Sequence, residues 1–270
     1  MPSRLDPTDC ALLARVGKPW LALVLANNLP CAGTRGAVKL KLADFVGSVE
    51  MIAWATKNGC SRNAGTRCSV AARGGHLEVL QHLRASGCHW TTGTCAAAAR
   101  GGHLAVLQYA QQQGCGWNES TCQAAAEGGH LEVLQWAREH DCPWSDDVCT
   151  FAAGSGHLEV LRWAREHGCP WNGLTCEEAA LGGHLEVLKW AWEHHCPMEE
   201  STCAKAAEGG HLEVLQWARE QGCPSDVWTC AAAAMNGHLE VLQWAVEDCC
   251  EWDEDTCEYA VHGGHLAGGA

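Results

Sequence analysis

The chain has 270 residues, enough for about one or two ordinary domains, and its 47% hydrophobic content excludes an extended disordered polymer. Eighteen Lys and Arg stand against 32 Asp and Glu, a formal charge of −14. Phosphate contact needs a basic surface, so this balance excludes a nucleic-acid binder. Charge is uneven: Met1 to Arg73 carries ten basic and four acidic residues, the remainder eight and 28. No apolar run reaches the roughly 20 residues of a membrane helix; Trp20 to Ala26 spans seven. Met1-Pro2-Ser3-Arg4-Leu5-Asp6 lacks the basic-then-apolar layout of an export signal. The expectation is an intracellular protein, cytoplasmic or nuclear, whose 19 cysteines (an odd number) are free thiols.

Residues 1–46 read as degenerate terminal units, with Ala11 to Leu25 an eroded helix pair. Solenoids need such atypical ends because an end face meets water. Residues 47–270 read as a repeat array. Gly47 to Ala55 aligns with Gly75 to Leu83 at an offset of 28. From there Gly-His-Leu recurs with His at 76, 103, 130, 157, 184, 211, 238 and 265, every interval being 27. Short-period self-similarity marks a stack in which each unit covers only its neighbours.

One unit shows the local logic. Asn118-Glu119-Ser120-Thr121 offers a polar N-cap and an acidic first turn. Cys122 to Ala126 is a small-residue helix stopped by Gly128-Gly129. Leu131 to His140 is a second helix whose apolar residues 131, 133, 134, 136 and 137 cover the wide stripe of a helix packed on two sides. Asp141-Cys142-Pro143 ends it. The fold class is therefore an all-α solenoid of stacked antiparallel helix pairs, nine complete and a tenth begun after Thr256.

The heart of the unit, Ala125-Ala126-Glu127-Gly128-Gly129-His130-Leu131-Glu132-Val133-Leu134, resembles the ankyrin repeat. The resemblance covers roughly residues 8 to 265. Two departures stand out. The period of 27 is short of the usual value of about 33, and the loss falls between helix pairs, where ankyrin repeats project a β-hairpin finger. Cys142-Pro143-Trp144-Ser145-Asp146-Asp147 is too short for that finger, and its proline disfavours strand pairing. The Thr-Pro-Leu-His signature is also absent, Cys122 standing at its Leu position. The resemblance implies that each Gly-Gly-His histidine hydrogen-bonds backbone between units.

Fifteen His and 19 Cys invite a metal reading. No Cys-x-x-Cys occurs, the two cysteines flanking a unit boundary lie seven apart as Cys115 and Cys122, and cysteine serves well as a small core hydrophobe. No metal and no cofactor is expected. Eight histidines strung along a solenoid cannot converge on one catalytic site, and no paired carboxylates, nucleophile elbow or phosphate loop stand outside the repeat. The second-helix aromatics Trp54, Tyr109, Trp136, Trp163, Trp190, Trp217 and Trp244 fall on a core position. The loop tryptophans Trp90, Trp117, Trp144, Trp171 and Trp252 either lid the shortened loop or anchor a partner.

Where constant positions build the stack, varying positions are free to address a partner. One such column is Val70, Ala97, Ala124, Phe151, Glu178, Lys205, Ala232 and Tyr259; the other is Arg73, Arg100, Glu127, Gly154, Leu181, Glu208, Met235 and His262. In ankyrin folds these columns lie on or beside the concave groove. The expectation is a non-catalytic scaffold that binds a protein, neither nucleic acid nor membrane, through Val70, Arg73, Arg100, Phe151, Glu178, Leu181, Lys205, Glu208, Met235 and Tyr259. The alternatives are a thiol- and histidine-rich metal or redox buffer, and the recognition part of an adaptor whose effector domain is missing. The last unit runs into Ala267-Gly268-Gly269-Ala270 without a second helix. Leu239, Val241, Leu242, Trp244 and Ala245 are therefore expected to leave an apolar strip partly open, with fraying from about Cys249 and self-association through that end.

Overall fold

Polar side chains set where five of the seven described first helices begin. Asn118, Asn172 and Asp226 accept hydrogen bonds from the backbone N–H groups of Ser120, Leu174 and Trp228 at 3.2, 3.0 and 3.1 Å. Thr91 with Thr94, and Glu199 with Thr202, form reciprocal capping boxes. The computed structural model describes residues 64–248 and positions 49, 256, 258, 259 and 263. The cap expected over 1–46 and the tail Ala267–Ala270 lie outside the described residues.

The described helices form seven pairs. They are α1 (Ala64–Arg73) with α2 (Leu77–Ala85), α3 (Thr92–Arg100) with α4 (Leu104–Gln112), and α5 (Glu119–Glu127) with α6 (Leu131–Glu139). Next come α7 (Asp147–Gly154) with α8 (Leu158–Glu166), and α9 (Gly173–Leu181) with α10 (Leu185–Glu193). Last are α11 (Glu200–Gly209) with α12 (Leu212–Glu220), and α13 (Val227–Asn236) with α14 (Leu239–Glu247). No strand occurs among the described residues, and the loops between pairs carry no finger. The chain divides into two compact units, Met1–Trp117 and Asn118–Ala270; α1 to α4 belong to the first and α5 to α14 to the second. Within each, consecutive first helices lie side by side, which is the helix-pair stack that the ankyrin resemblance implies.

Side-chain size decides the spacing. First helices bury Cys and Ala, such as Cys176, Ala179 and Ala180, so their backbones approach closely. Second helices bury Val, Leu and Ala, and Leu134, Leu161, Leu188 and Leu215 are fully enclosed. Each such leucine contributes about 2 kcal/mol. In the second unit the second helices of successive repeats stand further apart than the first helices.

The aromatic column of the second helices does not sit in this core. Trp136, Trp163, Trp190 and Trp217 are half-buried, and the leucine two residues earlier takes the enclosed place. Opposite an alanine-lined first helix there is room for a leucine but not for an indole, so the indole moves to the flank. On α14 the apolar strip is partly open, and the fraying expected from Cys249 falls outside the described residues. Val241 and Ala245 are buried, Leu242 and Trp244 half-buried, and Leu239 is 64% exposed. Ala245 is enclosed because it packs with Cys230 of α13, the first helix of its own pair.

Histidine joins one repeat to the next. The backbone N–H of His184 closes α9 by bonding Ala179 O at 2.9 Å, and its carbonyl opens α10 by accepting from Leu188 N–H at 3.0 Å. Its ring leaves its own repeat, and Nε2 lies 3.2 Å from the carbonyl oxygen of Gly154. A carbonyl only accepts, so Nε2 carries the proton. His157, His211 and His238 make the same bond to Glu127, Leu181 and Glu208 at 3.2, 3.1 and 3.0 Å. In the first unit His103 reaches Arg73 at 3.0 Å.

The glycine pair makes this bond sterically feasible. Gly183 has φ +74°, and a β-carbon there would sit 2.5 Å from the ring of His211 in the following repeat. The turns that end the second helices from α2 to α12 also go left-handed, through Gly87, Gly114, Gly168 and Gly222, but through Asp141 (φ 60°) and His195 (φ 66°) in two repeats.

Two predictions follow from the joint. Gly222 has φ +84° with open space around it, so Gly222→Ala should cost only backbone strain, about 1 kcal/mol. Gly183→Ala adds a collision with His211 and should cost about 2–4 kcal/mol; denaturant unfolding of both variants checks the order. His184 is held below its ordinary value of 6.5, first by burial and further by the neighbouring His211 and His157. The unfolded chain therefore takes a proton that the folded chain resists. The contribution of His184 is whole above its ordinary value and is lost as pH falls through the lower folded one. The urea midpoint should drop between about pH 7.5 and about pH 5, and His184→Asn should reduce that drop while costing about 1 kcal/mol at the higher pH.

Candidate functional site

The two varying columns lie on the first helices. In the first unit Val70 on α1 and Arg100 on α3 are half-buried and Arg73 is exposed. In the second unit Phe151 on α7 and Met235 on α13 are each 41% exposed, while Glu178, Leu181, Lys205, Glu208 and Tyr259 are half-buried. Ala124 is the exception, buried at 2%. The second column varies for a physical reason. The carbonyls of Arg73, Glu127, Gly154, Leu181 and Glu208 accept the histidine bonds. The joint fixes their backbone and leaves their side chains unconstrained.

The structure brings three of the expected residues together. Lys205 Nζ donates to Glu208 Oε2 at 2.8 Å on α11. That bond holds the lysine above its ordinary value, and the charges of Glu208, Glu178 and Glu177 add to it. A β-carbon at Gly154 would sit 3.2 Å from Cβ of Glu178, so the bare glycine lets α9 present its glutamate close to α7. The result is a patch of mixed charge between the apolar Phe151 and Met235. Tyr259 does not join it; its ring faces Trp228 at 6.0 Å. Polar contacts that the sequence reading missed tie the starts of neighbouring first helices. Asn172 Nδ2 donates to Asp146 Oδ2 at 2.7 Å, and Ser201 Oγ to Glu177 Oε1 at 2.7 Å.

The second-helix side carries an aromatic lattice. Arg138 lies 4.2 Å over the ring of Trp144, and Trp144 meets Trp163 edge to face at 6.0 Å. Arg165, Trp171 and Trp190 repeat the arrangement at 4.2 and 5.8 Å, as Arg84, Trp90 and Tyr109 do in the first unit at 4.5 and 6.1 Å. His167 stacks on Trp163 at 4.2 Å while its Nδ1 donates to the Trp163 carbonyl at 2.8 Å. Guanidinium on one face and indole edge on the other hold each of these loop tryptophans as a lid. The sequence signal was the arginine six residues before each such tryptophan. A cleft of about 490 Å³ opens beside it, lined by Gln135, Arg138, Glu139, Trp144, Trp163 and His167. Arg138 is already bonded to the Cys142 carbonyl at 2.5 Å.

Thirteen described cysteines are buried, and none of them is in a disulfide. The loop thiols reach back to the start of their own repeat: Cys142, Cys169, Cys196 and Cys223 donate to the carbonyls of Asn118, Ser145, Asn172 and Glu199 at 3.5, 3.2, 3.3 and 3.1 Å. Each also meets the first-helix cysteine of its repeat. The hydrogen bond from Cys122 holds Cys142 below the usual thiol range, while that bond and burial push Cys122 up. In the first unit burial and the adjacent Cys88 push Cys68 up to about 12.

Among the described residues no group of three or more His, Cys, Asp or Glu is placed to hold a metal ion, and no helix is long and apolar enough to cross a membrane. No family model matches the chain, and no curated protein matches it. Among solved structures the chain is similar to the human ASB11 ankyrin repeat domain, at a TM-score of 0.47 and 16% identity, over 58% of this chain and 84% of that one.

Proposed function

We propose that this protein is a non-catalytic interaction scaffold or adaptor that binds a partner protein through the face formed by its first helices. One observation carries the reading. The stack is held by backbone carbonyls and by Gly, His, Ala and Cys that recur with the period, while the side chains beside those carbonyls differ from repeat to repeat. In the second unit Phe151, Glu178, Leu181, Lys205, Glu208 and Met235 supply apolar and charged groups on neighbouring helices. In the first unit, taken by itself, the corresponding positions are Val70, Arg73 and Arg100. Within the second unit the first helices pack more closely than the second helices, which suits the first-helix side of that unit to hold an extended segment or a helix.

Replacing Phe151, Leu181, Lys205 and Glu208 together should abolish capture of partners that the parent chain retains. Helix content by circular dichroism should stay nearly unchanged, because all four side chains are exposed or half-buried. A quadruple variant that captures the same partners at the same affinity removes the first-helix face from consideration.

A further inference from the structure

We propose that the repeats from α1–α2 to α11–α12 each carry an oxidative modification site, the dithiol made by the first-helix cysteine and the cysteine 20 residues later, which a peroxide closes to a disulfide. In the second unit Cys122 on α5 holds its sulfur 4.0 Å from the carbonyl of Cys142, the residue that follows α6, and Cys203 stands at 4.0 Å from that of Cys223. The loop sulfur is fixed from its other side by its bond to the carbonyl of Asn118 or Glu199. Both pairs are at most 3% exposed. The side chains of the two cysteines of one repeat also share a hydrogen bond, so the pair meets in an apolar setting with no disulfide between them. The pairing recurs because helix length, turn and exit loop recur with it.

The two thiols are not equivalent, and the difference assigns their parts. Cys142 receives the S–H of Cys122 and sits beside the Arg138 guanidinium, both of which favour its thiolate. Cys142 thiolate attacks one oxygen of hydrogen peroxide. The O–O bond breaks, an S–O bond forms, and the departing hydroxide takes up the proton that Cys142 released, leaving as water. The sulfur of Cys122 then attacks the sulfenic sulfur of Cys142. The S–S bond forms, the S–O bond breaks, and the hydroxyl leaves with the Cys122 proton as a second water. Two thiols and one peroxide become one disulfide and two waters; the sulfurs lose the two electrons that the peroxide gains. The new bond ties the first helix to the exit of the second within one repeat and leaves the histidine joints untouched. This reading stands independently of any partner.

The full chain is titrated with hydrogen peroxide in chelator-containing buffer, alkylated in denaturant, digested and read by mass spectrometry. Peptides linking each first-helix cysteine to the cysteine 20 residues later, Cys122 to Cys142 and Cys203 to Cys223 among them, should dominate, with helix content retained and the urea midpoint raised until a dithiol reductant is added. Cys142→Ser should leave Cys122 reduced while the Cys203–Cys223 pair still closes. Arg138→Gln should slow closure at Cys122–Cys142 by roughly 3–10-fold against Cys203–Cys223 in the same molecule. Links between Cys142 and Cys149, links between chains, or sulfinic acid at single cysteines would overturn the proposal. So would thiols that survive peroxide sufficient to oxidise free glutathione in the same tube.

Discussion

Everything in this protein hangs on a hydrogen bond that leaves its own repeat. The Gly-Gly-His histidine spends its backbone closing one helix and opening the next, so its ring is the one part of the turn free to reach outward. It reaches the last turn of the preceding first helix, at the carbonyls of Glu127, Gly154, Leu181 and Glu208 in the second unit. Such carbonyls have no partner inside their helix. The bond thus solves a local capping problem and a stacking problem with one side chain. It also explains the glycines, since a β-carbon at Gly183 would occupy the space that the neighbouring ring needs.

That constraint separates what may vary from what may not. A carbonyl is indifferent to the side chain attached to its residue, so Glu127, Gly154, Leu181 and Glu208 can differ while serving the same joint. Alanine and cysteine on the inner side of the first helices are fixed by volume instead. Cysteine adds something alanine cannot. Its loop copies hydrogen-bond the carbonyls of Asn118, Ser145, Asn172 and Glu199, closing each repeat where a longer finger would otherwise reach.

Much of this was legible in the sequence. The bounds of α5 and α6 followed from Asn118, the Gly128-Gly129 pair and Pro143 to within about a turn, because each acts on the backbone through its own residue. The histidine joint came from the ankyrin resemblance, not from spacing. Harder to read was which apolar residue of a second helix is enclosed: Leu134 and Trp136 both fall within one wide stripe, and only the alanine-lined helix opposite decides between them. The cysteine partners were hidden for a related reason. Cys115 and Cys122 are neighbours in sequence, yet Cys122 meets Cys142, whose approach depends on the antiparallel return of α6. The lysine–glutamate pair at Lys205 and Glu208 was legible in principle, standing three residues apart on one helix.

Asp141 and His195 occupy left-handed turns that the equivalent repeats give to glycine. A side chain in that conformation carries strain of about 1 kcal/mol, and a stack coupled only to nearest neighbours has no distant contacts over which to spread it. The α6 and α10 ends are therefore the seams of the second unit, the points at which transient opening is cheapest. Thermal breathing of this protein should divide it into blocks bounded by those two turns, a partition written by two residues that touch neither the core nor the varying face.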